Sequence, residues 1–168
     1  YAAVVPGKNK GKGRTSGMIQ AYSFIDVIES LLLVNTCTHV ESDVLLPVRK
    51  WFMDCVKWSE DGRFGTALRK TNNNIGLAYD VMLTEIYLFV GNEGNAKAIV
   101  DNFPKCRLNT QIDKDGKQKA ELKRTNAYSY SLFNLSHILD YCFITKYCNI
   151  DFYRLNQNVI DKAYTFLQ

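Results

Sequence analysis

The sequence has no Cys-x-x-Cys pair, no histidine cluster, no dense basic block and no unbroken apolar run of membrane-spanning length. Its five cysteines, Cys37, Cys55, Cys106, Cys142 and Cys148, are scattered, and its two histidines, His39 and His137, stand far apart, so no zinc-ligand spacing arises. No carboxylate cage is visible either, and neither a metal nor a cofactor is expected. An odd cysteine count excludes complete internal pairing and leaves a reduced chain, or bridges with a free thiol. The most apolar stretch, residues 25–34, is broken by Asp26, Glu29 and Ser30, so no membrane span is expected. The net charge of +4 suits an anionic partner, but it is too small and too dispersed for a nucleic-acid surface. The chain begins at Tyr1, so a leader segment would not be visible in it.

What is present is ordinary globular composition: 168 residues, 46% apolar and 23% charged, enough for one domain with a core. Residues 5–14 alternate lysine with glycine and have no hydrophobic period; residues 1–15 are therefore expected to form a flexible basic segment, a cationic arm before the folded domain at 16–168. From Ser16 onward Phe24, Ile25, Ile28, Leu31 and Leu32 repeat with helical spacing. A second helix is expected over about 43–59, with Val48, Trp51, Phe52, Cys55 and Val56 inward and Pro47 in its first turn. Asp61 to Gly65 reads as a turn. A third helix covers about 76–90, stopped by Gly91, and a shorter one 93–103, ended by Pro104. Residues 105–119 read as a long exposed loop with a turn at Asp113 to Gly116. Helices return over 126–146 and 151–167. The fold class is all-α, built of antiparallel helical hairpins. Cysteines inside the helical patterns are expected to be small buried hydrophobes.

Two polar clusters interrupt this pattern. Three consecutive amides, Asn72, Asn73 and Asn74, precede the third helix, although one suffices as a cap. Amides beside free backbone N–H groups can receive a carboxylate or an oxyanion; the plainer reading is a polar turn with one capping Asn. The second cluster, residues 121–130, holds Arg124, whose guanidinium can clamp a carboxylate, and the phenols of Tyr128 and Tyr130, which can carry a proton. On a helix such tyrosines more often sit at the edge of a core.

In order along the chain, Asn-Asn followed by Gly-Leu-Ala-Tyr-Asp-Val (76–81), Phe-Val-Gly-Asn (89–92), Gln-Ile-Asp-Lys-Asp-Gly-Lys-Gln (111–118), Glu-Leu-Lys-Arg-Thr (121–125) and Tyr-Ser-Leu-Phe-Asn-Leu (130–135) resemble the motifs of alginate lyase-type polysaccharide lyases. Weaker likeness extends through residues 25–28 and Trp51-Phe52, so the resemblance covers roughly residues 14–145. It implies an (α/α) toroid that cleaves a uronate-containing polysaccharide by β-elimination, acting on an anionic polysaccharide or oligosaccharide in a secreted or extracellular setting. Carried over by motif, Asn73 or Asn74 with Arg124 would neutralise the uronate carboxylate, and Tyr130 would shuttle the proton. Tyr79, Gln111 and Tyr128 would support the substrate cleft.

One departure stands out. The histidine of the family's Asn-Asn-His motif is missing: Ile75 or Asn74 stands there, depending on the alignment. His137, seven residues after Tyr130 on the same helix, is a candidate to face the cleft. The alternatives to a lyase are a catalytically degenerate carbohydrate-binding relative and a helical interaction module with no sugar role. Six helices are fewer than a full toroid of this type requires, so the chain is expected to be the C-terminal part of a larger domain or a shortened relative.

Overall fold

A computed structural model describes residues 6–7, 9–37 and 42–168; His39 and the side chain of Cys37 lie outside what it describes. A 3₁₀ stretch, Thr15–Ser23, leads into α1 (Phe24–Cys37), followed by α2 (Ser42–Asp61), α3 (Arg63–Lys70), α4 (Asn74–Phe89) and α5 (Glu93–Phe103). A π turn, Pro104–Leu108, and a single helical turn, α6 (Asn109–Gln111), precede α7 (Ala127–Ile144) and α8 (Phe152–Phe166). Among the described residues the only β pairing is one antiparallel bridge, Ile112 to Gln118. The all-α expectation holds.

The organising element is α4, which packs against α1, α2, α3, α5 and α7. Its sequence explains why: from Leu77 to Phe89 only Asp80, Thr84 and Glu85 break an apolar or aromatic run, and a helix apolar on every side must be wrapped. Ile28 of α1, Phe52 of α2, Leu68 of α3 and Ile138 of α7 all lie in the core around it. A second focus sits where Phe103 stacks on Tyr141 with centroids 3.9 Å apart and Phe152 of α8 meets both edge-on.

The ends of α4 follow from side chains and one glycine. At its start the Asn73 side chain accepts from the Ile75 backbone N–H at 2.9 Å, filling one orphan donor. At its end Gly91 takes φ +79°, its N–H donates to the Leu88 carbonyl and that of Asn92 donates to Tyr87, a Schellman closure. The expected stop at Gly91 is thus borne out with its mechanism.

Four expectations change. Residues 61–65 are not a free turn: α2 runs to Asp61, Gly62 alone breaks it, and α3 begins at Arg63. Gly65, a weak helix former, sits buried inside α3, where a Cβ would meet the Ser59 carbonyl and the Tyr79 hydroxyl. Pro47 lies inside α2 rather than in its first turn, because the helix starts at Ser42. Trp51 is 41% exposed; its ring packs edge-on against Phe24 and Phe52 at the rim instead of entering the core. Residues 105–119 are not an exposed loop, since Arg107, Leu108, Gln111, Ile112, Gly116 and Gln118 are all buried. A Cβ on Gly116 would overlap the Lys162 carbonyl of α8, so the turn at 113–116 is pressed onto that helix.

Of the basic arm, the described part includes a 3₁₀ turn at Asn9–Gly11 and contacts to Arg63, whose guanidinium donates to the Lys12 carbonyl and, at 3.4 Å, to that of Gly13. Cys55 and Cys142 are buried thiols, and burial pushes Cys142 up to about 11; Cys106 is exposed and Cys148 half-buried. By length and composition the helical stretch Thr15–Thr36, mean hydropathy 1.4, could cross a membrane; Ile25 and Ile28 within it are core residues here.

Gly76 is the tightest position. A Cβ there would overlap the Thr71 carbonyl oxygen and lie 3.0 Å from Arg107 Nη1. Gly76→Ala should therefore cost roughly 2 kcal/mol or more, read as a drop in thermal midpoint. Gly94→Ala, in α5 with open space around it, should be neutral or stabilising by up to about 1 kcal/mol in the same assay.

Candidate functional site

The two polar clusters read from the sequence are joined through buried side chains. The Asn74 backbone N–H donates to Glu121 Oε1 at 2.7 Å, and Asn74 Nδ2 donates to Glu121 Oε2 at 2.6 Å. One carboxylate thus satisfies both an orphan N–H at the positive end of α4 and the amide beside it. Asn74 and Glu121 are each 2% exposed or less.

A second chain of bonds runs parallel to the first. Gln111 Nε2 donates to the Asn73 carbonyl at 3.2 Å, and Gln111 Oε1 accepts from Asn134 Nδ2 at 3.1 Å. The same Asn134 amide donates to Gln118 Oε1 at 2.8 Å, while Gln118 Nε2 donates to the Ser131 carbonyl on α7 at 3.0 Å. Below this layer Arg107 Nε donates to Asp80 at 2.6 Å and Nη1 to the Thr71 carbonyl at 2.7 Å. Burial pushes the Asp80 carboxyl up and Arg107 pulls it down, burial being the stronger effect.

Arg124 follows Glu121 by three residues, and its backbone N–H donates to the Glu121 carbonyl at 2.9 Å. Its guanidinium lies over the Tyr130 ring, 4.1 Å from the centroid, so these two sequence-nominated groups do meet. Arg124 is exposed and Tyr130 half-buried, which leaves an open cationic and phenolic pair at the start of α7. Asn73 is half-buried; its Oδ1 caps α4, and its Nδ2 has no hydrogen-bond partner among the described residues. Asn72 is exposed and exchanges bonds with Thr110.

The remaining nominees sit elsewhere. Tyr79 is buried on α4, its hydroxyl 3.3 Å from Ser59 Oγ, and burial pushes the phenol up to about 12. Gln111 is buried within the amide network. Tyr128 is 60% exposed. His137 is 1% exposed, held between the rings of Tyr22 (4.0 Å) and Phe133 (4.2 Å), with neither ring nitrogen hydrogen-bonded. Its Nδ1 is 3.9 Å from Asp140, a separation too long for a hydrogen bond; the Tyr22 hydroxyl makes that bond at 2.7 Å. The imidazole and then Tyr22 hold the Asp140 carboxyl below its usual range, against the opposing effect of burial.

Glu121, Gln118, Asn134 and Arg107 were given no role from the sequence. Asn134 carries the signal in the sequence, since an amide at a position that period places on the inner face of α7 needs polar partners.

With this geometry in place, likeness to known proteins is informative. A family model described as alginate lyase matches residues 1–168. A crystal structure of an alginate lyase from Bacteroides ovatus superposes with a TM-score of 0.91 at 39% identity, covering 99% of this chain and 45% of that one. No curated protein matches. The fold is that of the helical (α/α) toroids, here spanning less than half the length of that relative. The chain belongs to the alginate lyase family.

Glu121→Gln would place an amide N–H against either the Asn74 N–H or its Nδ2, donor facing donor. A loss of about 1–3 kcal/mol is expected in chemical denaturation; an unchanged midpoint would show that the carboxylate does not secure the start of α4.

Proposed function

We propose that the protein is a polysaccharide lyase that cleaves a uronate-containing anionic polymer by β-elimination, with Arg124 and Tyr130 as its reacting groups. The observation that carries this reading is the guanidinium seated on the phenol ring at an open surface, 4.1 Å apart. Arg124 suits the sugar carboxylate, for which its planar fork is matched. Asn73, with its free amide, supplies a second donor; Asn74 is committed to Glu121 and serves to hold the loop.

In the reaction, Tyr130 Oη, deprotonated, takes the proton from C5, beside the carboxylate. The resulting charge spreads onto the carboxyl oxygens, where Arg124 and Asn73 stabilise it. The bond from C4 to the glycosidic oxygen then breaks, its electron pair leaves with that oxygen, and Tyr130 returns the proton to it. The proton lost from C5 ends on the leaving hydroxyl, a double bond forms between C4 and C5, and the phenolate is regenerated. One phenol serving both atoms requires them on the same face of the ring. This scheme needs no histidine at the motif position, where Ile75 or Asn74 stands, and buried His137 takes no part in it. Gln111, Gln118 and Asn134 act as positioning residues behind the surface. An extracellular location, suited to a polymeric substrate, belongs to the same proposal.

Full-length protein incubated with mannuronate, guluronate and glucuronate polymers should raise the ultraviolet absorbance of the conjugated double bond. Tyr130→Phe should lower kcat by about 10²–10⁴-fold while oligosaccharide binding persists. Arg124→Lys, which keeps the charge but loses the fork, should lower kcat/KM, and Arg124→Ala more so. Binding of uronate oligosaccharides without any product absorbance would assign the protein to the non-catalytic relatives, a reading that the missing motif histidine favours. Full activity in Tyr130→Phe would remove the phenol from the mechanism.

A further inference from the structure

One concentration of positive charge has no part in the scheme above. It is a cleft of about 680 Å³ where residues 10–15 lie against the start of α3. Lys10, Lys12, Arg14 and Arg63 line it, and no acidic residue does. Lys10, Lys12 and Arg14 are exposed and form no ion pair among the described residues.

The basic stretch is tied down on this side of the molecule. Arg63 donates to the Lys12 and Gly13 carbonyls, the Gly17 N–H donates to the Arg14 carbonyl at 2.9 Å, and Gly13 is buried. Lys10 sits at φ +52°, a conformation that disfavours any side chain. Like charges gathered in one concavity repel each other, and their summed field attracts anions. A backbone that brings three cations together, one of them on a left-handed residue, is a costly way to make a solvated tail.

The cleft continues in two directions. Arg63 and Phe64 also line a neighbouring cleft of about 580 Å³, walled by Trp58. The Trp58 ring is 41% exposed and tilts against Phe64 with centroids 5.8 Å apart. The acids on that side are Asp54, which pairs with Lys50 at 3.1 Å, and Asp61. Both clefts have the size of small-ligand sites. In the other direction Arg63, Ala67 and Lys70 stand at i, i+4 and i+7 of α3 and share one face. Lys70 is exposed, unpaired among the described residues, and about 10 Å along the helix from Arg63. Asn73 follows three residues later. Arg107 donates to the Leu68 carbonyl at 3.5 Å and to that of Thr71 at 2.7 Å, which ties the end of α3 to the corner holding Asn73. This face of α3 thus carries a cation at each end, with only the small Ala67 between them.

We infer that the face of α3 from Lys70 to the Lys10, Lys12 and Arg14 cleft, and on to Trp58, is a binding track for the units of a uronate polymer beyond the one that reacts. The identity of the polymer rests on the lyase reading, whereas the track is a separate claim about where the chain lies. Carboxylates bind at the arm cations, and a sugar ring lays its C–H face on the indole. Each added unit engages a site already held close by its neighbour, so affinity rises with chain length. A short oligosaccharide confined to the reacting corner does not reach these contacts.

The test uses the full-length protein and mannuronate, guluronate and glucuronate oligosaccharides of three and eight units, with binding read by calorimetry and turnover by ultraviolet absorbance. The octamer should bind about tenfold or more tighter than the trimer, and added salt should shrink that difference. Lys10→Gly combined with Lys12→Ala should weaken the octamer about 5-fold and the trimer less than about 2-fold. Since glycine suits φ +52°, the thermal midpoint of this variant should not fall. Lys70→Ala, which leaves the arm intact, should weaken the octamer about 2-fold. Trp58→Ala should weaken it about 3-fold or more without changing the affinity for inorganic polyphosphate, and Trp58→Phe should restore it. An octamer no tighter than the trimer, or equal losses at both lengths, would overturn the track. Octamer binding that is indifferent to Trp58→Ala, with the lysine variants weakening polyphosphate as much as the octamer, reports unselective attraction of anions and overturns it too. Product formed alongside either result leaves the lyase reading standing. Length-dependent binding without product upholds the track and overturns the lyase.

Discussion

The start of α4 is the point on which the site depends. A helix that is buried on nearly every side exposes its first N–H groups to a region with little water, and those groups need partners from the chain itself. Asn73 fills one and the Glu121 carboxylate fills another while holding the Asn74 amide. Arg107 braces the same corner from beneath through Asp80 and the Thr71 carbonyl, and glycine at 76 allows the backbone to come that close. Negative charge at a helix N-terminus and charge-assisted bonds favour the arrangement together. Without it, residues 71–76 and 121–124 would have no reason to lie side by side.

That corner divides the polar residues into two kinds. Asn74, Glu121, Gln111, Gln118 and Asn134 are buried and bonded mainly to one another, so they set positions. Arg124, Tyr130 and Asn73 carry groups that remain accessible. Because Arg124 sits three residues beyond Glu121, the anchoring of one fixes the backbone of the other, and the cation–π contact then sets where the guanidinium rests on Tyr130. A site built this way can present charge to a substrate without rearranging, which is what preorganised stabilisation of a developing anion requires.

The helices were largely legible because their signal is local. The period of α4, the stop at Gly91 and the 93–103 helix needed only neighbours in sequence. Sequence pattern and structure part where a residue's behaviour depends on distant atoms. Residues 61–65 read as a turn, but Gly65 fills a tight crossing of α3 near Ser59 and Tyr79. The polar string 105–119 looked like a solvated loop but supplies the amides that meet α4 and α7, and its glycine touches α8. Trp51 fits the inner stripe of α2 by period, yet a ring of its size packs at the rim against Phe24 and Phe52.

By itself the sequence determined the helical class, the caps, the family motifs and the nomination of Arg124 and Tyr130, since each is carried by residues within a turn or two of one another. Only the tertiary structure decided which amide is free and which is bound, that His137 is enclosed between Tyr22 and Phe133, and that Tyr79 is buried against Ser59. The physical reason is that a side chain's chemistry is set by its desolvation and its partners, and those partners come from elements 40 or more residues away in the cases of Asn74 and Glu121, 47 apart.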